Sequence, residues 1–229
     1  MVNFWITAAS GGPSPSPSPS PSSSPDRSFL APIQRRAVTW LVPRLPVALS
    51  PSDLTRLGLL GALVVASALI LCRWWADVVY LVPVGVLLNW FGAAVDGPLA
   101  DHRREQHKRR GLVEHLTDLA SLFIMIVAYA FSPFLTFEAA AIILTCYLLF
   151  SAYTYIRAAT GHVEQMALIG VGAAEFRLML AFWPFVARAL DAAGGVMVTF
   201  ATAILAGIAV VALMLKVYID ARKIASRVN

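Results

Sequence analysis

The chain is 229 residues long, 59% hydrophobic and only 14% charged, with a formal net charge of +5. A soluble domain is nearer half apolar and a quarter charged, so this composition excludes an ordinary soluble globular protein and points to a multi-pass membrane protein. In such a protein the positive balance fits cytoplasmic loops and anionic lipid headgroups rather than nucleic acid.

Residues 1–28 contain GGPSPSPSPSPSSSP at positions 11–25, a Pro/Ser repeat that cannot build a core and is expected to form a disordered tail. No basic region and long apolar core precede Ser10, so no cleavable signal peptide is read there. Residues 29–229 are expected to form one all-α membrane domain. Its opening, residues 29–46, mixes Trp40, Leu41 and Val42 with Arg35, Arg36 and Arg44, the pattern of a helix lying at the membrane interface. Ser52 or Asp53 is expected to cap a helix starting near Leu54. The apolar run from Leu57 to Cys72 reads as a first span, ended by Arg73, Trp74 and Trp75.

A second span is expected from about Val78 to Val95, and a third from near Leu116 to just before Pro133. A fourth covers roughly Phe137 to Tyr155. After the polar loop Thr160 to Gln165, a less apolar fifth runs from about Glu175 to Ala189, and a sixth from Val196 to Val217. Cys72 and Cys146 fall in apolar segments without metal-ligand spacing and read as packing residues. With six spans, Arg73 and Arg188 alone among the Lys and Arg residues face the side opposite the termini. The positive-inside rule therefore places both termini and the connection between spans two and three in the cytoplasm. The expected location is a bacterial inner or plasma membrane.

That connection lies within Asn89 to Ser121, the stretch with the most chemistry. If the second span stays helical past Val95, Asn89, Ala93, Asp96, Gly97 and Ala100 share a face, at steps of three and four. Gly111, Glu114, Asp118 and Ser121 share a face of the third span in the same way. Packed together, the two faces bring Asp96, Glu114 and Asp118 around one pocket. Such a cluster is costly unless it holds a divalent cation, and oxygen ligands suit Mg2+, Mn2+ or Ca2+. Singly, Asp96 could be a boundary residue, and Glu114 and Asp118 could merely favour a helix dipole. Carboxylates continuing into an apolar span argue for more, because charge at membrane depth is expensive. Arg103, Arg104, Lys108, Arg109 and Arg110 form the densest basic cluster and would attract phosphate; alone it would be a solvated loop. His115 reads as a polar helix residue, and His102 and His107 as exposed.

DGPLADHRREQHKRRGLVEHLTD, residues 96–118, resembles the signature of the CDP-alcohol phosphotransferases, D-x2-D-G-x2-A-R-x8-G-x3-D-x3-D. Asp96, Gly97 and Ala100 match in type and position. Glu114 and Asp118 fall at the spacing of the last two carboxylates. Ala93 stands at the first carboxylate, Asp101 at the arginine and Arg110 at the second glycine. SPSDLTRLGLLG resembles the opening of the family's first span, and GAAEFR, Gly172 to Arg177, a segment before the fifth span of some members. The resemblance implies a six-span, homodimeric enzyme of phospholipid biosynthesis. It would move a substituted phosphate from a CDP-linked donor, CDP-diacylglycerol above all, to an alcohol acceptor, releasing CMP with the help of Mg2+ or Mn2+. It further implies Asp96, Glu114 and Asp118 as metal ligands and Asp118 as the catalytic base. Asp96, Gly97, Ala100, Arg103, Arg104 and Arg110 would contact nucleotide or phosphate. Asn89, one turn before Ala93, is a candidate substitute ligand. The alternatives are a catalytically silent homologue that still binds nucleotide or lipid, and a membrane carrier.

Overall fold

A computed structural model describes residues 29–103, 110–159, 172–192 and 196–228. The Pro/Ser tail, Arg104, His107 and the polar loop from Thr160 to Gln165 lie outside the described residues. So do the side chains of Arg110, Glu114 and His115, whose backbone is helical. Among the described residues there is no strand, and the helices are α1 (Ala31–Leu41), α2 (Pro51–Leu71), α3 (Leu81–His102), α4 (Arg110–Ala130), α5 (Phe137–Ala159), α6 (Ala173–Ala192) and α7 (Val196–Val228).

The start of α2 lies earlier than the sequence suggested. Ser50, not Ser52 or Asp53, is the cap, Pro51 is the first helical residue, and Asp53 closes a capping box. Pro51 has no N–H to satisfy and its fixed φ suits the first turn, which moves the boundary upstream. The Ser50 hydroxyl accepts from the Asp53 amide at 3.2 Å, and Asp53 Oδ2 accepts from the Ser50 amide at 3.0 Å. Ser50→Ala is expected to cost about 1 kcal/mol, read as a lower melting temperature in detergent; an unchanged melt would mean that α2 does not depend on this box.

Among the described residues four helical stretches are long and apolar enough to cross a bilayer: Pro51–Leu71, Ala76–His102, Phe137–Thr154 and Val196–Arg222. In α4 the described apolar stretch is Leu116–Ala130, and it contains Asp118. In α6, Glu175, Arg177, Arg188 and Asp191 interrupt the apolar sequence. Asp118 of α4 and Arg177 of α6 are the charges these two helices bring into the bundle.

Helix α2 is central. It packs on α3 and α4, while α5 packs on α4 and α7, and α6 on α3 and α7. The α2–α3 contact is backbone against backbone. A Cβ added at Gly61 would lie 2.5 Å from the Asn89 amide nitrogen and 2.6 Å from the Gly85 carbonyl oxygen; one added at Gly85 would lie 2.8 Å from the Gly61 oxygen. Small residues let helices approach this closely in a membrane, where no hydrophobic force drives them together. Beside this seam, Ala62, Val65 and Leu69 of α2 meet Val82 and Val86 of α3 and Leu122, Met125 and Tyr129 of α4. A second core forms where Val38 of α1 and Val42 rest on Leu54, Val95 and Leu99. At the far side Tyr153 of α5 donates to Asp220 of α7 at 3.0 Å, and Lys216 pairs with the same carboxylate at 3.3 Å.

Both cysteines are free thiols. Cys72, just past the end of α2, is half-buried and packs against the core, as its apolar setting in the sequence suggests.

Candidate functional site

Helix α3 continues through Asp96 and Pro98 to His102, so Asn89 and Asp96 sit two turns apart on its inner side. Each is only 1% exposed. Both are held by α2. The Thr55 hydroxyl donates to Asp96 Oδ2, and Asn89 Nδ2 donates to the Gly58 carbonyl at 2.9 Å. Thr55 and Gly58 are three residues apart on α2 and therefore neighbours on its surface. The close α2–α3 approach is what brings these short polar groups within reach.

Arg177 of α6 completes the arrangement. Its Nε donates to Asn89 Oδ1 at 2.8 Å, and its Nη2 donates to Asp118 Oδ1 of α4, making an ion pair. Arg177 is 5% exposed. One guanidinium thus ties α3, α4 and α6, and through Asn89 reaches α2. The fork geometry of arginine allows two acceptors on different helices to be met at once. Burying a single charge here would be expensive, and the Arg177–Asp118 pair lowers that cost by neutralising both members. Behind the pair, Phe176 stacks on Tyr147 of α5, with centroids 5.7 Å apart and planes 7° from parallel. The start of α6 is fixed by Glu175, which accepts from the Gly172 amide at 2.9 Å and from the Leu30 amide at 2.6 Å.

Asn89 and Asp118 meet through Arg177, and Asp96, two turns along α3 from Asn89, is held by Thr55 of α2. Gly97 is half-buried and Ala100 is buried on α3. Arg103 ends α3 and donates to the carbonyls of Leu49 at 2.5 Å and Pro46 at 2.9 Å, which anchors the loop leading into α2. Arg104 and the side chains of Arg110 and Glu114 lie outside the described residues. The sequence reading assigned no site role to Arg177 or Thr55. A signal for the first was present: an arginine four residues into a helix that continues LMLAFWPF must find an interior partner.

The donors gathered here are hard oxygens, the type that suits Mg2+ or Mn2+. Among the described residues no three His, Cys, Asp or Glu side chains come together to hold a metal. Of the two described carboxylates, Asp96 accepts from Thr55 and Asp118 is paired with a cation already. By themselves these two do not complete the oxygen set of an octahedral ion.

No protein-family model, curated protein or solved structure matches the chain.

Proposed function

We propose that the chain is a membrane-embedded transferase of the CDP-alcohol phosphotransferase kind, acting in phospholipid synthesis on a CDP-linked lipid donor and an alcohol acceptor. The observation that carries this reading is the inward placement of Asp96 and Asp118, at the signature spacing, from the two helices that flank the basic stretch. Polar groups in that position are costly in a bilayer, and here four helices are arranged to hold them. In this reading α4 and α6 also cross the membrane, giving six spans. Helix α1 lies on the surface, and the termini and basic stretch are cytoplasmic, with a homodimer as the working assembly.

In the reaction the acceptor hydroxyl oxygen attacks the phosphorus of the substituted phosphate. The bond from that phosphorus to the bridging oxygen breaks, and CMP leaves with the electron pair. Asp118 takes the proton lost by the hydroxyl. Arg177 orients the Asp118 carboxylate and steadies Asn89, and Asp96 with Thr55 lines the side nearer the basic stretch. Glu114 and the cation dependence belong to the same proposal.

The experiment is CMP release by the purified protein from radiolabelled CDP-diacylglycerol, against a panel of alcohols. Release is expected with at least one alcohol, to be lost in EDTA and restored by Mg2+ or Mn2+. Asp118→Asn should slow it about 100-fold or more, the scale of a lost general base, while donor binding persists. Full release in excess chelator would remove the metal from the proposal. A second reading, a silent homologue that binds CDP-lipid without turnover, is favoured by Ala93 at the first carboxylate and by the pairing of Asp118 with Arg177. Donor binding with no CMP from any alcohol would select it, and absence of both would sink both readings.

A further inference from the structure

A cavity of about 400 Å³ opens where α6 ends and α7 begins, closed on its other side by the turn between α4 and α5. Arg188 and Asp191 of α6, Thr136, and Thr199 of α7 line it. It is not the carboxylate site. Arg177 stands near the start of α6 and Arg188 near its end, about 16 Å further along the helix axis. We propose that this cavity binds the headgroup of a phospholipid that carries a phosphate and a primary ammonium.

The lining carries one charge of each sign, and the two do not pair. Among the described residues the Arg188 guanidinium makes one hydrogen bond, from Nη2 to the Ala76 carbonyl at 2.7 Å, and no ion pair. Donors remain on its Nε and Nη1. Asp191 is exposed and makes neither a hydrogen bond nor an ion pair among them. The residues between α6 and α7 that lie outside the description, Ala193, Gly194 and Gly195, add no charged side chain. A ligand that meets both charges is therefore an anion and a cation in one molecule. Their order selects the headgroup. Arg188 and Asp191 are three residues apart and share a face of α6, about 4.5 Å apart along its axis, and Asp191 is the nearer to the helix end at Ala192. A phospholipid has the same polarity, with its phosphate next to the glycerol and its ammonium beyond. The phosphate meets Arg188 and the ammonium donates to Asp191. Thr136 Oγ1 accepts from the Ala139 amide at 3.3 Å, which leaves its O–H to donate to a phosphate oxygen.

The surroundings put the cavity at headgroup level. Helices α2 and α7 are both long and apolar enough to span, and the cavity lies where the first ends and the second begins. Just past the end of α2, Trp74 is 67% exposed and Trp75 62%, the aromatic pair that marks a membrane–water boundary. The cavity floor is apolar, made by Phe134 and Ala187, which are buried in the main core. Its walls are fixed by hydrogen bonds: Trp183 Nε1 donates to the Phe134 carbonyl at 2.8 Å, and Arg188 holds Ala76. Thr199, Phe200 and Ile204 are exposed together on α7. That strip leads from the cavity toward the middle of the span, the course that acyl chains follow from a headgroup seated at Arg188.

The test uses the full chain in nonionic detergent, titrated with phosphatidylethanolamine, phosphatidylcholine or phosphatidylglycerol, with binding read by native mass spectrometry and by melting temperature. Phosphatidylethanolamine should bind best, because a choline headgroup has no N–H for Asp191 and a glycerol headgroup has no cation. Asp191→Asn should lose roughly tenfold in affinity for phosphatidylethanolamine, the scale of one charge-assisted contact, and none for phosphatidylglycerol. Its lipid-free melt should not move, since Asp191 is exposed. Asp191→Lys should reverse the order and place phosphatidylglycerol first. Arg188→Gln should weaken both lipids about tenfold. Soluble glycerophosphoethanolamine, which has the same headgroup without acyl chains, should not compete at equal concentration. Equal binding of the three lipids, a preference for phosphatidylethanolamine that survives Asp191→Asn, full affinity in Arg188→Gln, or displacement by the soluble headgroup would overturn the proposal. None of these readouts involves CMP release, so the cavity and the transferase reading stand or fall separately.

Discussion

Arg177→Ala is expected to cost about 3 kcal/mol of stability, the low end of the scale for breaking a buried ion pair by removing one partner, because Arg177 is buried and Asp118 half-buried. The loss is large because the guanidinium serves two groups at once. Without it Asp118 loses its ion-pair partner, and Asn89 Oδ1 loses its 2.8 Å donor. Arg177→Lys should recover little, since an ammonium has no planar fork to reach acceptors on two helices. The informative partner is the double variant Arg177→Met, Asp118→Leu. Replacing both charges with apolar groups of similar size removes the uncompensated carboxylate, and stability should return to within roughly 1–2 kcal/mol of wild type. Unfolding in detergent for the two single variants and the double gives the coupling directly. A near-additive cycle would show that Arg177 and Asp118 do not interact in the folded protein. Activity separates the two roles of the pair: the double variant should be folded and yet release no CMP, because its base is gone.

The helical class was legible because runs such as Leu57–Cys72 and Val196–Val217 carry an unbroken apolar signal, and four helices meet the requirement for spanning. The segment of α6 reads as a less apolar span, and Arg177 in it and Asp118 in α4 are the charges that interrupt the two apolar patterns. The two charges meet across 59 residues of sequence, and no local pattern states such a pairing. Asn89 was noticed only as a possible stand-in ligand; its donation to Gly58 and acceptance from Arg177 depend on how α2 and α3 cross. The cap of α2 was misplaced for a simpler reason. Ser50, Ser52 and Asp53 are all good capping residues, and the choice fell to Pro51, whose preference for the first helical position outweighs the apolar pattern that begins at Leu54.

The contact on which the site depends can be broken with one methyl group. Gly61→Ala places a Cβ 2.5 Å from the Asn89 amide nitrogen and 2.6 Å from the Gly85 carbonyl oxygen, where about 3.5 Å or more is comfortable. Both neighbours are helix backbone and cannot swing aside, so α2 and α3 must separate by about 1 Å. Overpacking of this kind costs about 1–3 kcal/mol in a core, and two rigid clashes put the expected loss at the upper end, near 3 kcal/mol. The separation also pulls the Gly58 carbonyl away from Asn89 and Thr55 away from Asp96, so CMP release should fall more than stability alone explains. Gly207→Ala is the control, because nothing lies within 4 Å of a Cβ at that position on α7. Helix propensity favours alanine over glycine by up to about 1 kcal/mol, so Gly207→Ala should melt at or above the wild-type temperature and keep its activity. If Gly61→Ala melts with Gly207→Ala, the α2–α3 seam is looser than backbone contact, and Asn89 is not held by α2 in the way that positions it for Arg177.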